Sequence, residues 1–155
     1  MIRRVALAGP MGSGKSTVGR ILSTRWAVEF RDLDASIGDA ATIFEREGEV
    51  GFRAREREAL ACVVAGQGVL ALGGGTVVDP GNRRLLREWT VIVLTGTHAT
   101  LLARIGGDPR RPLVGQLESL LAARASAYAL AGPAVATDGR TVDEVADAVE
   151  ALCPW

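Results

Sequence analysis

The sequence predicts a three-layer α/β fold, a parallel sheet of short strands with helices on both faces. Two observations predict it. Short apolar runs alternate with longer stretches of helical period along the whole chain. The first apolar run, Val5-Ala6-Leu7-Ala8, leads into Gly9-Pro10-Met11-Gly12-Ser13-Gly14-Lys15-Ser16-Thr17. That segment matches G-x-x-x-x-G-K-[ST], and it stands between strand and helix as a phosphate loop requires. A sheet that opens this way is the core of a P-loop nucleoside triphosphatase fold.

The elements follow in order. A strand spans 3–8, and the helix 15–26 carries Val18, Ile21 and Leu22 on one face. A strand at 28–32 ends on Asp32-Leu33-Asp34, and helical material runs from about 40 to 66. The buried strand 69–72 runs straight into Gly73-Gly74-Gly75, as a strand does where a ligand approaches the backbone closely. Next come a short helix 82–88, a strand 91–94 and a helix 97–105. A loop rich in glycine, proline and arginine covers 106–115, and the alanine-rich helix 116–129, strand 134–137 and helix 142–152 complete the chain. No repeat or linker divides this pattern, so a single domain over 1–155 is expected.

Composition narrows the partners. Eighteen basic and eighteen acidic side chains cancel, which gives no bulk electrostatic case for nucleic acid or an anionic membrane. No apolar run is long enough to span a bilayer, and the glycine loop interrupts the only stretch resembling a secretory signal. Two cysteines, Cys62 and Cys153, suit a reducing compartment, and a cytoplasmic protein is expected. Cys62 lies in the apolar stretch Ala59–Val64 and is expected in the core. His98 is expected to be exposed at a helix start, Trp26 and Trp89 to be packing residues, and Trp155 to fray at the terminus.

Lys15 is the chain's one lysine beside seventeen arginines, and it falls in the phosphate loop. A compact ammonium with three rotatable donors fits between phosphate groups where a planar guanidinium does not. The glycines let backbone N–H groups face the phosphates, and the helix starting near Lys15 adds its positive dipole end. The Ser16 hydroxyl would sit on Mg²⁺. In Asp32-Leu33-Asp34, residues two apart on a strand present both carboxylates to one cleft. One can hold Mg²⁺ through water while the other orients an acceptor hydroxyl and takes its proton. In the loop Arg104–Leu113, adjacent arginines could reach a transferring phosphoryl group.

An ordinary GTPase is excluded, because its N-K-x-D element is absent: the one asparagine, Asn82, precedes Arg83. Motor ATPases and helicases need subdomains that 155 residues do not hold. A small-molecule kinase remains.

In this order the four elements resemble the shikimate kinase family over essentially the whole chain. The discriminating residues are Asp32-Leu33-Asp34, Ile43-Phe44 with Gly48-Glu49, Gly51-Phe52-Arg53, Leu72-Gly73-Gly74-Gly75, Arg111-Pro112-Leu113, and Arg124 with Tyr128. The resemblance implies a nucleoside-monophosphate-kinase-like fold with a central five-stranded parallel sheet. It also implies an acceptor-binding helical section at about 33–60 and a short lid at about 106–118. The activity implied is ATP- and Mg²⁺-dependent phosphorylation of the 3-hydroxyl of shikimate, a step toward chorismate and the aromatic amino acids, by a monomer.

Carried over by matched motif, Gly12, Ser13, Gly14, Lys15, Ser16 and Thr17 would bind ATP. Ser16 and Asp32 would serve the metal, and Asp34 would hold the shikimate hydroxyls and act as base. Arg53 and Arg124 would grip the substrate carboxylate, and Gly74 and Gly75 would offer backbone contacts. Arg111 would be the lid arginine over the γ-phosphate, with Arg104 stacked on adenine. A bidentate arginine clamp suits a small polyol acid and discriminates against uncharged polyols.

Against the family pattern, the stretch from Asp34 to Arg53 is about one helical turn short. Arg111 to Arg124 is also shortened, and the usual R-x-P-L-Y reads Arg124-Ala125-Ser126-Ala127-Tyr128. The rival readings are a kinase for another small hydroxylated acid or nucleotide, such as gluconate, and a nucleotide-binding regulatory module without transfer activity.

Overall fold

A computed structural model describes residues 1–106 and 114–155. Five strands form one fully parallel sheet: β1 (Arg4–Ala8), β2 (Phe30–Asp32), β3 (Gly68–Ala71), β4 (Thr90–Thr95) and β5 (Ala134–Ala136), in the order β2-β3-β1-β4-β5. The described helices are α1 (Lys15–Trp26), α2 (Leu33–Ile37), α3 (Ala40–Val63), α4 (Pro80–Leu85), α5 (His98–Ile105), α6 (Leu117–Ala131) and α7 (Val142–Ala151).

The central strand explains the layering. Val5, Ala6, Leu7 and Ala8 are all fully buried, so β1 is apolar on both faces. Val5 and Leu7 join Val18, Leu22, Ile92, Val145 and Val149 in the core beneath α1 and α7. Ala6 and Ala8 turn the other way, toward Leu33, Leu60, Leu70, Trp89 and Tyr128 under α3 and α6. The period of two sorts the inner strands β1, β3 and β4 between two cores. Since β3 and β4 flank β1 on opposite sides, the chain reverses its winding there, and a crevice opens at the carboxyl end of β1.

Helix ends are set by local chemistry. Asp39, Asp79, Thr97 and Thr141 each accept a backbone N–H at the start of a helix, and Thr141 and Glu144 close a capping box. Asp138 accepts from the backbone N–H and hydroxyl of Thr97, tying the β5–α7 turn to the start of α5. These bonds, with Thr100 the largest influence, hold its carboxyl down at about 2.

The structure alters four expectations. The chain after β2 forms the extra short helix α2, so Asp34 belongs to its first turn and not to a strand. The helical stretch after residue 40 is bent at Gly48, whose φ of 70° and ψ of −174° interrupt α3. Cys62 is exposed, because Leu60 and Val63 occupy the inward face of α3. Trp155 is packed edge-on against Trp26 at 5.7 Å, with the Arg3 guanidinium 5.2 Å from the Trp26 ring. His98 is exposed at the head of α5, and Trp89 is buried with its indole N–H on the Val64 carbonyl at 3.1 Å. Among the described residues no helix is long and apolar enough to cross a membrane.

Candidate active site

A cleft of about 840 Å³ lies at the carboxyl ends of the inner strands. Its floor is the loop between β1 and α1. Gly9, with φ of 136°, passes so close to β4 that a Cβ would strike the Leu94 carbonyl. Gly14, with φ of 91°, makes the left-handed turn into α1 and aims the first helical N–H groups at the cleft. The Lys15 side chain folds over this loop, with Nζ donating to the carbonyls of Gly9 at 2.7 Å and Pro10 at 3.0 Å. Ser13 is buried, and its hydroxyl is a polar atom without a hydrogen-bond partner among the described residues.

Asp32 joins two elements. Its Oδ2 accepts from the Ser16 hydroxyl at 2.6 Å, and its Oδ1 caps α2 by accepting the Asp34 N–H at 3.0 Å. No group of three or more His, Cys, Asp or Glu side chains able to hold a metal occurs among the described residues. Ser16 and Asp32 nevertheless fit Mg²⁺, a hard ion that keeps several waters and takes its other ligands from nucleotide phosphates.

Asp34 faces the cleft beside Gly73. It touches open water, yet the surrounding walls remove enough solvent to push its carboxyl above the ordinary aspartate value. Desolvation is the largest cause; Lys15 opposes it, the charges of Asp32 and Glu56 reinforce it, and Arg53 opposes it.

The three glycines after β3 make room for charged groups. A Cβ at Gly73 would stand 2.9 Å from Asp34 Oδ1 and 3.0 Å from Glu56 Oε2. At Gly74 it would stand 3.0 Å from an Arg124 nitrogen, and at Gly75 2.6 Å from an Arg53 nitrogen. Side chains there would displace both arginines. Arg53 comes from α3 just after the Gly48 bend, and Arg124, 9 % exposed, comes from α6. The rings of Phe44 and Phe52, 4.8 Å apart across the bend, supply an apolar wall.

Glu56 escaped the sequence reading. It is 1 % exposed, accepting from Arg53 Nη1 at 2.9 Å and from the Thr76 hydroxyl at 2.9 Å. Its spacing of three from Arg53 on a helix was the available signal. Arg140 also lines the cleft beyond Thr137, in the polar turn after β5. Arg104 donates along its guanidinium edge to the Gly12 carbonyl at 3.1 Å and to the Thr137 hydroxyl and carbonyl at 2.8 and 3.2 Å. Arg111 and residues 107–113 of the expected lid lie outside the described residues.

A glycine loop at the winding reversal, facing an acid and two arginines across one cleft, defines the class: fold and cleft together are those of a small-molecule kinase. A family profile described as shikimate kinase matches residues 11–153. The shikimate kinase of Geobacter sulfurreducens is 44 % identical over 157 residues, spanning 92 % of this chain and 86 % of that protein. That of Streptomyces coelicolor is 42 % identical over 156 residues, spanning 93 % and 91 %. The structure of shikimate kinase from Acinetobacter baumannii in complex with shikimate matches with a TM-score of 0.91 at 33 % identity, covering 98 % of this chain and 93 % of that one. The chain belongs to the shikimate kinase family.

Proposed function

We propose that the chain transfers the γ-phosphoryl group of ATP to the 3-hydroxyl of shikimate. The observation that carries this reading is the pairing, in one cleft, of a phosphate loop with an acid and two arginines gathered around Gly73–Gly75. Two cations suit the carboxylate of a small acid, and the polar glycine backbone and Asp34 suit its hydroxyls. Membership of the family, with relatives matched along most of their length, favours shikimate over gluconate or a module without transfer activity.

In this reading the amides of Gly12–Thr17 and the Lys15 ammonium take the β- and γ-phosphates, with Arg104 beside the adenine and Arg111 closing from the lid. Ser16 and Asp32 would hold Mg²⁺, which would supply positive charge against that developing on the phosphates. Asp34 accepts the proton of the acceptor hydroxyl. As that oxygen bonds to the γ-phosphorus, the bond to the β,γ-bridging oxygen breaks and its electron pair leaves with ADP. A carboxyl raised by desolvation is a stronger base for this step than an ordinary aspartate. Arg53 and Arg124 hold the acceptor carboxylate, and Gly74 and Gly75 contact its ring hydroxyls.

We assign residues 33–60 to the acceptor section and 106–118 to the lid of a single domain. A monomer working in the cytoplasm, with ATP and shikimate as its partners and no nucleic acid or membrane, completes the reading; the balanced charge and two cysteines support it.

Arg53→Ala is expected to raise the KM for shikimate at least about tenfold, the loss of one charge-assisted pair. It should also lower stability by about 1–3 kcal/mol, since Glu56 is buried and loses a partner. Steady-state kinetics and thermal melts check both effects; an unchanged KM would put the clamp elsewhere. The regiochemistry of transfer is tested by phosphorus–proton NMR correlation on the product. Coupling to the proton on C3 is expected, and coupling at C4 or C5 would contradict the proposal.

A further inference from the structure

Tyr128 lies outside every role assigned above, yet it joins the two parts of the cleft that meet the acceptor. Its phenol donates to the Gly74 carbonyl at 2.6 Å, 54 residues away in sequence. The ring is 8 % exposed and packs into the core with Leu33, Leu72, Val77 and Trp89. It stands one helical turn after Arg124 on α6, so both side chains occupy the same face of that helix. An Arg124 nitrogen lies 3.0 Å from the position of a Cβ at Gly74, so the helix touches the glycine segment through both side chains. The Arg124 charge also acts on the phenol, against the larger effect of burial.

We infer that Tyr128 is a positioning residue that holds the Gly74–Gly75 backbone and the Arg124 guanidinium in one fixed relation before the acceptor binds. The inference rests on the proposed kinase reading and deepens it. Three glycines in succession have wide conformational freedom, and nothing in their side chains fixes the direction of their peptide groups. A bond to the Gly74 carbonyl restrains the peptide that also carries the Gly75 N–H. The phenol anchors that carbonyl to a rigid helix, and the same helix carries Arg124. Acceptor contacts from the glycine backbone and from α6 are thereby presented together, which cuts the ordering cost of binding. In Arg124-Ala125-Ser126-Ala127-Tyr128 no proline interrupts α6, so the two side chains are carried on one unbroken helix. Burial pushes the phenol above its ordinary value, so it stays a donor at neutral pH.

The test compares the unaltered enzyme with Tyr128→Phe, and with 4-aminophenylalanine at position 128, which restores a donor at the same place. Wild-type turnover on shikimate is measured first; its absence would sink the kinase reading itself, separately from this inference. With that turnover present, Tyr128→Phe should raise the KM for shikimate about three- to tenfold, the range of one net hydrogen bond. The KM for ATP should be unchanged and kcat should stay within about twofold. The amine variant should recover most of the lost affinity. A purely structural role would instead shift both KM values together, or lower the melting temperature with no selective effect and no recovery by the amine. Either of those results, or an unchanged shikimate KM, would overturn the inference. If Tyr128→Phe folds poorly, shikimate titrations of the amine variant against the wild type decide the matter: affinity reduced more than about threefold despite the donor would contradict the assignment.

Discussion

Lys15→Ala is expected to abolish phosphoryl transfer, lowering kcat by about three orders of magnitude or more. Removal of a single preorganised donor from developing oxyanion charge already costs about 10²–10³, and Lys15 carries a full charge in a loop whose other donors are neutral amides and hydroxyls. Its Nζ lies over the loop on the carbonyls of Gly9 and Pro10, and in the proposed reading a short swing would bring it to the phosphates. The substitution has a second effect across the cleft. Lys15 is the largest influence holding the Asp34 carboxyl down, so its loss should push that group still higher. Stability should fall modestly, since the part-buried bonds to two loop carbonyls and the attraction to Asp34 are lost together. Quenched-flow assays of phosphate transfer beside a thermal melt check the pair of outcomes. Residual kcat above about one per cent of wild type would contradict the role given to this amine.

Asp34→Asn is expected to lower kcat by about 10²–10⁴, the usual contribution of a positioned base, with ATP affinity nearly unchanged. Its effect on stability should run in the opposite direction. Burial raises the folded-state value of this carboxyl above the unfolded one, so the folded protein favours the protonated acid. Such a group favours folding below its unfolded value, and that contribution is lost as pH rises through the raised folded value. At neutral pH the ionised carboxylate is therefore a cost, and a neutral amide removes it. Melts without nucleotide or metal should show Asp34→Asn more stable than wild type at pH 7, with the difference vanishing in acid. A lower melting temperature together with near-normal kcat would remove Asp34 as the base.

The part of the cleft built on β1 was legible residue by residue. The signature fixes where the loop ends, and α1 runs over Lys15–Trp26 as the apolar period implied. The inner strands were legible as well, because β1, β3 and β4 are buried on both faces and leave unbroken apolar runs between turns. What the chain did not declare depends on contacts between distant residues or on very short elements. The helix α2 has five residues, too few for a period to register. Asp32 and Asp34 reach the same cleft by a cap and a helical turn, a route that spacing on a strand does not describe. Glu56 reads as one charge in an exposed row until Thr76, 20 residues later, folds beneath it. The Cys62 error was avoidable, since the helical period that buries Leu60 and Val63 turns residue 62 outward.

Phosphorylation of shikimate in this cleft is the function at stake. Its most direct measurement is Mg²⁺-dependent ADP release by the purified protein with ATP and a panel of acceptors including shikimate, gluconate, quinate and nucleoside monophosphates. Saturable turnover on shikimate, well above every other acceptor and absent in Lys15→Ala, is the result expected. Turnover on another acceptor with none on shikimate, or ATP binding with no turnover on any, would contradict it.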